Sequence, residues 1–162
     1  MKKVVTYIFL IILLVLQGSL GKNIEILHIM PNLILVFVVC YSMYSEPVMA
    51  TIFGIVSGIL IDVFQAQNMG FNSIALMYLA LGLSCMTSGY IRSNVWTVMV
   101  FVVLSTIVYE SLYTFLTLFL FGKMSFFQVF TDILIESVYN VTIAVPLSFF
   151  AKYLGEDEVR SF

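Results

Sequence analysis

The chain has 162 residues, 62% hydrophobic and 10% charged, against roughly 45–50% and about 25% in an ordinary soluble domain. That length holds one domain, and a soluble fold of this size has too little interior to hide so much apolar surface. The composition excludes a cytosolic enzyme, a nucleic-acid binder and a disordered tail. A net charge of −2 from seven basic and nine acidic residues leaves no basic patch for nucleic acid. The chain reads as an all-α integral membrane protein.

A bilayer core about 30 Å thick takes about 20 mostly apolar residues per helix. Six such runs occur, at residues 4–20, 31–45, 47–64, 73–91, 95–121 and 125–152, so residues 1–162 are expected to form a single transmembrane domain. The first run follows Lys2-Lys3, as a signal peptide would. Gln17-Gly18-Ser19-Leu20 supplies no well-placed small-x-small site and no lipobox cysteine follows, so the run is read as a retained helix. Gly21 to Met30, with Lys22, Asn23, Glu25 and His28, is a polar break, and Pro31 restarts the helix. Glu46-Pro47 separates the second run from the third. Proline suits a first helical turn, where its missing N–H costs nothing, so a tight helical hairpin is predicted there. One long helix over 31–64 would be kinked by an interior proline. Gln65 to Asn72 with Gly70, Arg92-Ser93-Asn94 and Gly122-Lys123-Met124-Ser125 form the remaining breaks. Barrel strands are excluded, because the runs are too long and do not alternate.

Basic residues near helix ends set the orientation. With six spans both termini share a side, which carries Lys2, Lys3, Arg92, Lys152 and Arg160, while the other carries Lys22 and Lys123. The termini are therefore placed in the cytoplasm. Tyr7, Tyr41, Tyr44, Tyr90, Trp96 and Tyr153 fall near the same interface, as an aromatic belt would. Cys40 and Cys85 lie inside predicted spans and suit packing, since their spacing fits neither a metal cluster nor a disulfide framework.

Three stripes stand out. Ala50, Gly54, Gly58 and Asp62 recur every four residues on the third run, and the GxxxG pair lets two helix backbones approach closely. That face serves either packing inside the bundle or docking of another chain. Asp62 is expected near the outer surface, in reach of water and of Lys123. Ala80, Ser84 and Ser88, with Gly82 and Gly89 nearby, form a second small-residue face that most simply packs on the first. The third stripe is polar: Gln128, Asp132, Glu136 and Asn140 on the last run, with a comparable face of Thr106, Glu110, Tyr113 and Thr117 on the fifth.

A charge at mid-bilayer costs about 2.5–3.5 kcal/mol on insertion scales. The fourteen Phe, Val, Ile or Leu residues between 126 and 151 return about 4–8 kcal/mol at roughly 0.3–0.6 kcal/mol each. Insertion of the last helix is then marginal alone, so its acidic face is expected to turn from lipid. With no Lys or Arg inside the membrane to pair with them, Glu110 and Glu136 are expected to be neutral or to line a wet cavity. They then form either a proton or ion pathway or an interior network with Tyr109, Tyr113, Tyr139 and Asn140. The only histidine, His28, lies in a loop, and no HExxH, GxSxG or phosphate loop occurs. No enzymatic activity, cofactor or metal is expected.

The stretch Pro31-Asn32-Leu33-Ile34-Leu35, the helix Gly54-x3-Gly58-x3-Asp62 and the segment Gly70-Phe71-Asn72-Ser73-Ile74-Ala75-Leu76 resemble the MreD family of bacterial rod shape-determining membrane proteins. Asn140 and Pro146 are similar to its last-helix pattern, and the resemblance extends over the whole chain in length and span layout. Asp132, Glu136 and Glu110 depart from it. The resemblance implies a multi-pass protein of the bacterial cytoplasmic membrane, a non-enzymatic scaffold of the elongasome. Its implied partners are membrane lipid, the single-span MreC, the RodA polymerase, a class B penicillin-binding protein and, indirectly, the actin-like MreB. It also implies a six-helix fold like the substrate-binding subunits of energy-coupling-factor vitamin transporters. That likeness sets two rivals, a vitamin-binding subunit with Glu110 and Glu136 lining its cavity, and a small ion-coupled carrier using the same acids. As a scaffold, the chain should depend on its Ala50, Gly54, Gly58 and Asp62 face and on Pro31 and Asn32. As a binder or carrier it should depend on Glu110 and Glu136, which with Asp132 and Asn140 make up the polar interior.

Overall fold

The computed structural model describes residues 2–24, 29–65, 70–89, 94–121 and 126–159. Six helices form: α1 (Lys2–Ile24), α2 (Leu33–Ser42), α3 (Pro47–Gln65), α4 (Phe71–Gly89), α5 (Val95–Phe121) and α6 (Phe126–Val159). No β-strand occurs among the described residues. Stretches long and apolar enough to cross a bilayer lie in α3, α5 and α6, at Pro47–Phe64, Val95–Phe119 and Val129–Gly155. The apolar stretches of α1, α2 and α4 are shorter: Val4–Ser19, Leu33–Ser42 and Phe71–Thr87.

Local chemistry explains where the helices stop. Asn32 caps α2, its side chain accepting from the Leu35 N–H at 3.1 Å, so the helix begins after Pro31 and not on it. After Ser42 the chain turns, and Pro47 opens α3 with the Glu46 carbonyl accepting from the Ala50 N–H at 2.8 Å. The predicted hairpin is thus present, but its first arm is 10 residues long, shorter than the run at 31–45. At the other extremes, α1 continues through Gly21 to Ile24 and α6 runs to Val159, past the predicted breaks. A glycine in a helix costs only about 1 kcal/mol relative to alanine, too little to end α1. Gly70 has φ +94°, the left-handed conformation that glycine adopts freely, and turns the chain into α4.

Helix α2 is the axis of the molecule. At ~1.5 Å per residue it is about 15 Å long, half a bilayer core, yet every residue from Ile34 to Ser42 is buried. It packs against each of the other five helices. Phe37 and Tyr41 stack with Phe53 of α3, the Phe37–Phe53 pair edge-to-face at 5.5 Å, and Phe9 of α1 closes on Phe37 and Phe150. This corrects the aromatic belt: Tyr41 and Tyr44 are core residues, because protein surrounds α2 on all sides. Trp96 and Tyr153, 80% and 64% exposed, remain outward as a belt requires.

Val4, Ile8, Val63, Ile74, Phe119 and Val138 lie on the outer surface, an exterior suited to lipid. Several helix hydroxyls are satisfied by the carbonyl one turn back, as a bilayer favours: Ser42 donates to the Val38 carbonyl, Ser57 to Phe53 and Thr106 to Val102, at 2.6–2.9 Å.

Candidate functional site

The α3–α4 seam is built on absent side chains. A Cβ on Gly54 would stand 2.6 Å from the Leu76 carbonyl oxygen and 2.9 Å from the Ala80 Cβ. On Gly58 it would lie 2.5 Å from the Asn72 carbonyl oxygen and the Ser73 nitrogen, and closer still to the Ser73 Cα. Ala50 is buried on the same side. The GxxxG face is therefore turned onto α4 of the same chain. Ala80 meets it directly, and Ser84 donates to the Ser45 carbonyl at 2.5 Å. Gly82 points away, with open space around its Cβ position.

Asp62 ends this stripe as a cap. Its Oδ2 accepts from the Gly70 N–H at 3.0 Å, the Ser73 N–H at 3.2 Å and the Ser73 hydroxyl at 2.7 Å. Its Oδ1 accepts from the Asn72 N–H at 3.3 Å and the Asn72 Nδ2 at 2.9 Å. A helix start leaves its first N–H groups without partners and favours negative charge, so the carboxylate of α3 closes the opening turn of α4. With 5% of its surface exposed, Asp62 does not reach out to water. Lys123, its expected partner, lies outside the described residues, as do His28 and the side chains of Gln128 and Ser88.

From Asn72 the polar contacts run inward. The Tyr109 hydroxyl of α5 donates to Asn72 Oδ1. The Asn32 N–H donates to Asn140 Oδ1 of α6 at 2.9 Å. Asn140 Nδ2 in turn donates to Thr106 Oγ1 at 3.0 Å and to Glu136 Oε1 at 3.3 Å. Polar contacts thus tie α3 to α4 and α5 through Asp62, Asn72 and Tyr109, and the start of α2 to α5 and α6 through Asn32, Asn140 and Thr106. Asn140 is fully buried and Glu136 is 8% exposed.

These residues border a cavity of about 210 Å³, lined by Gln17, Met30, Pro31, Asn32, Tyr109, Glu110, Tyr113 and Glu136. The structure brings together the predicted Glu110, Glu136, Asn32 and Pro31, and seats Asn140 directly behind them. Asp132, one turn from Glu136, is half-buried and does not line the cavity. Tyr139 stays outside the network, its buried hydroxyl without a hydrogen-bond partner. Sequence reasoning missed Gln17, whose Oε1 accepts from the Ile34 N–H at 3.3 Å. A polar residue late in an apolar helix was its only signal. It also missed Gly155, where a Cβ would stand 2.5 Å from the Tyr44 carbonyl oxygen. Among the described residues no group of three or more His, Cys, Asp or Glu could hold a metal ion.

The model of the family described as rod shape-determining protein MreD matches residues 1–155. No match was found among curated proteins or solved structures.

Proposed function

Because the chain belongs to the MreD family of rod shape-determining proteins, we propose that it acts as a non-enzymatic membrane scaffold of the rod-shape complex. In this reading it crosses the bacterial cytoplasmic membrane six times with both termini inside. It holds a single-span MreC partner and links RodA and a class B penicillin-binding protein, and through them MreB, to control of cell shape. The observation that carries the reading is the family match over residues 1–155, nearly the whole chain. The architecture suits it: an apolar exterior, and a core spent on helix packing around α2.

The GxxxG face serves that role indirectly. With Gly54 and Gly58 closed onto α4, this reading gives that face to packing of the α3–α4 hairpin and has the partner dock elsewhere on the bundle. The test is genetic. Rod-shaped cells depleted of the chain should become round, and re-expression should restore rods. Cells that keep their rod form after depletion would remove the proposal.

A second reading, the substrate-binding subunit of a transporter, is favoured by one observation, the polar cavity of about 210 Å³. It predicts ATP-binding cassette subunits among the co-isolated proteins and ligand uptake that is lost in Glu110→Gln.

A further inference from the structure

The cavity at the α1, α2, α5 and α6 end gathers more polar groups than the packing of the helices uses. A structural polar network closes on itself, as Asp62 does by filling both its oxygens with α4 donors. The cavity does not close. It gathers two carboxyl groups, Glu110 and Glu136, two carboxamides, Gln17 and Asn32, and two phenol rings, Tyr109 and Tyr113, around open space. Among the described residues no Lys, Arg or His lines it.

We propose that this cavity is a binding site for a cationic nitrogen group, an ammonium or a guanidinium. The lining selects the sign, because two carboxyl groups face a space into which no Lys, Arg or His of the described residues projects. Phenol rings beside carboxylates favour an organic cation, which gains from the ring faces while its N–H groups meet carboxyl and amide oxygens. A divalent metal is a poorer match: it draws six or more oxygens or a set of three to four protein ligands, and no cluster of three His, Cys, Asp or Glu occurs among the described residues. At about 30 Å³ per water, a cavity of about 210 Å³ admits such a head group with part of its stem. The group comes either from a free small amine or guanidine, or from a Lys or Arg of a partner chain. The inference holds whether or not the chain is a scaffold, and its test reads binding directly.

The experiment uses the purified full chain in lipid nanodiscs, titrated with methylguanidinium chloride against sodium chloride at matched ionic strength. Tyrosine fluorescence and thermal unfolding report occupancy. Wild type should respond saturably, Glu110→Gln and Glu136→Gln should bind at least tenfold more weakly, and Glu46→Gln, in the distant α2–α3 turn, should bind as wild type. Should either glutamine variant fail to fold, Tyr113→Leu decides, with a several-fold weaker response expected from loss of the ring. A wild-type response no different from sodium chloride overturns the site, and so does unchanged affinity in every folded cavity variant. The source of the group follows from partner recovery in cross-linked cells carrying Glu110→Gln. Depleted recovery assigns a basic side chain of the partner, and full recovery assigns a free cation. A failed titration with partners still recovered would overturn this site while leaving the scaffold reading intact.

Discussion

Asp62 shows how one carboxylate in an apolar helix is put to structural use. Five donors from Gly70, Asn72 and Ser73 converge on it, and its removal would leave the two from Asn72 buried without that partner and the rest partly buried. An unsatisfied buried donor costs about 1–3 kcal/mol. Asp62→Ala should therefore lower the unfolding temperature and speed amide exchange at Asn72 and Ser73, while exchange in α5 changes little. Equal exchange in variant and wild type would refute the cap. The glycines offer a cleaner contrast. Gly58→Ala forces a methyl group into the Ser73 backbone, whereas Gly18→Ala meets nothing within 4 Å. Overpacking costs about 1–3 kcal/mol, and alanine in an open helical site gains up to about 1 kcal/mol. Thermal unfolding should place the two variants on opposite sides of wild type or, at the least, show loss only for Gly58→Ala.

At the scale of elements, much was legible where a residue type has a fixed backbone consequence. Pro47 fixed the α2–α3 boundary, Gly70 the entry to α4, and the bounds of α5 agree with the apolar run at 95–121. The pairing of the two small-residue faces followed from Gly54 and Ala80. The shortness of α2 was not legible. Hydropathy treats a neighbour of protein and a neighbour of lipid alike, so a wholly buried 10-residue helix reads like part of a span. The same blindness put Tyr41 and Tyr44 in the belt. Gly155 escaped notice because its contact, Tyr44, lies far away in sequence. What holds so short a helix in register is Asn140, which receives the Asn32 N–H and donates to Thr106 and Glu136. Asn140→Leu should destabilise the fold by about 2 kcal/mol or more, from stranded polar partners, with faster exchange at the start of α2. Retention of wild-type stability would show that the Asn32 cap suffices alone.

The whole molecule combines a lipid-suited exterior with a polar end inside. The polar faces of α5 and α6 were legible from their three- and four-residue spacing, and the structure buries Glu136 and Asn140 and half-buries Glu110 and Asp132. That Gln17 and Asn32 complete a cavity with them was not legible, since α1 and the start of α2 carry no periodic signal that points there. The proposed orientation has a direct consequence: reporter fusions at either terminus should read cytoplasmic, and one at residues 122–125 should read external. Opposite readings at the two termini would remove the six-span arrangement.

The central claim, a scaffold of the rod-shape complex, is tested most directly by isolating tagged protein in mild detergent from cross-linked cells and identifying what accompanies it by mass spectrometry. The account predicts a single-span MreC-like protein together with wall-synthesis enzymes. Recovery of ATP-binding cassette subunits in their place would contradict it and make the chain the substrate-binding part of a transporter.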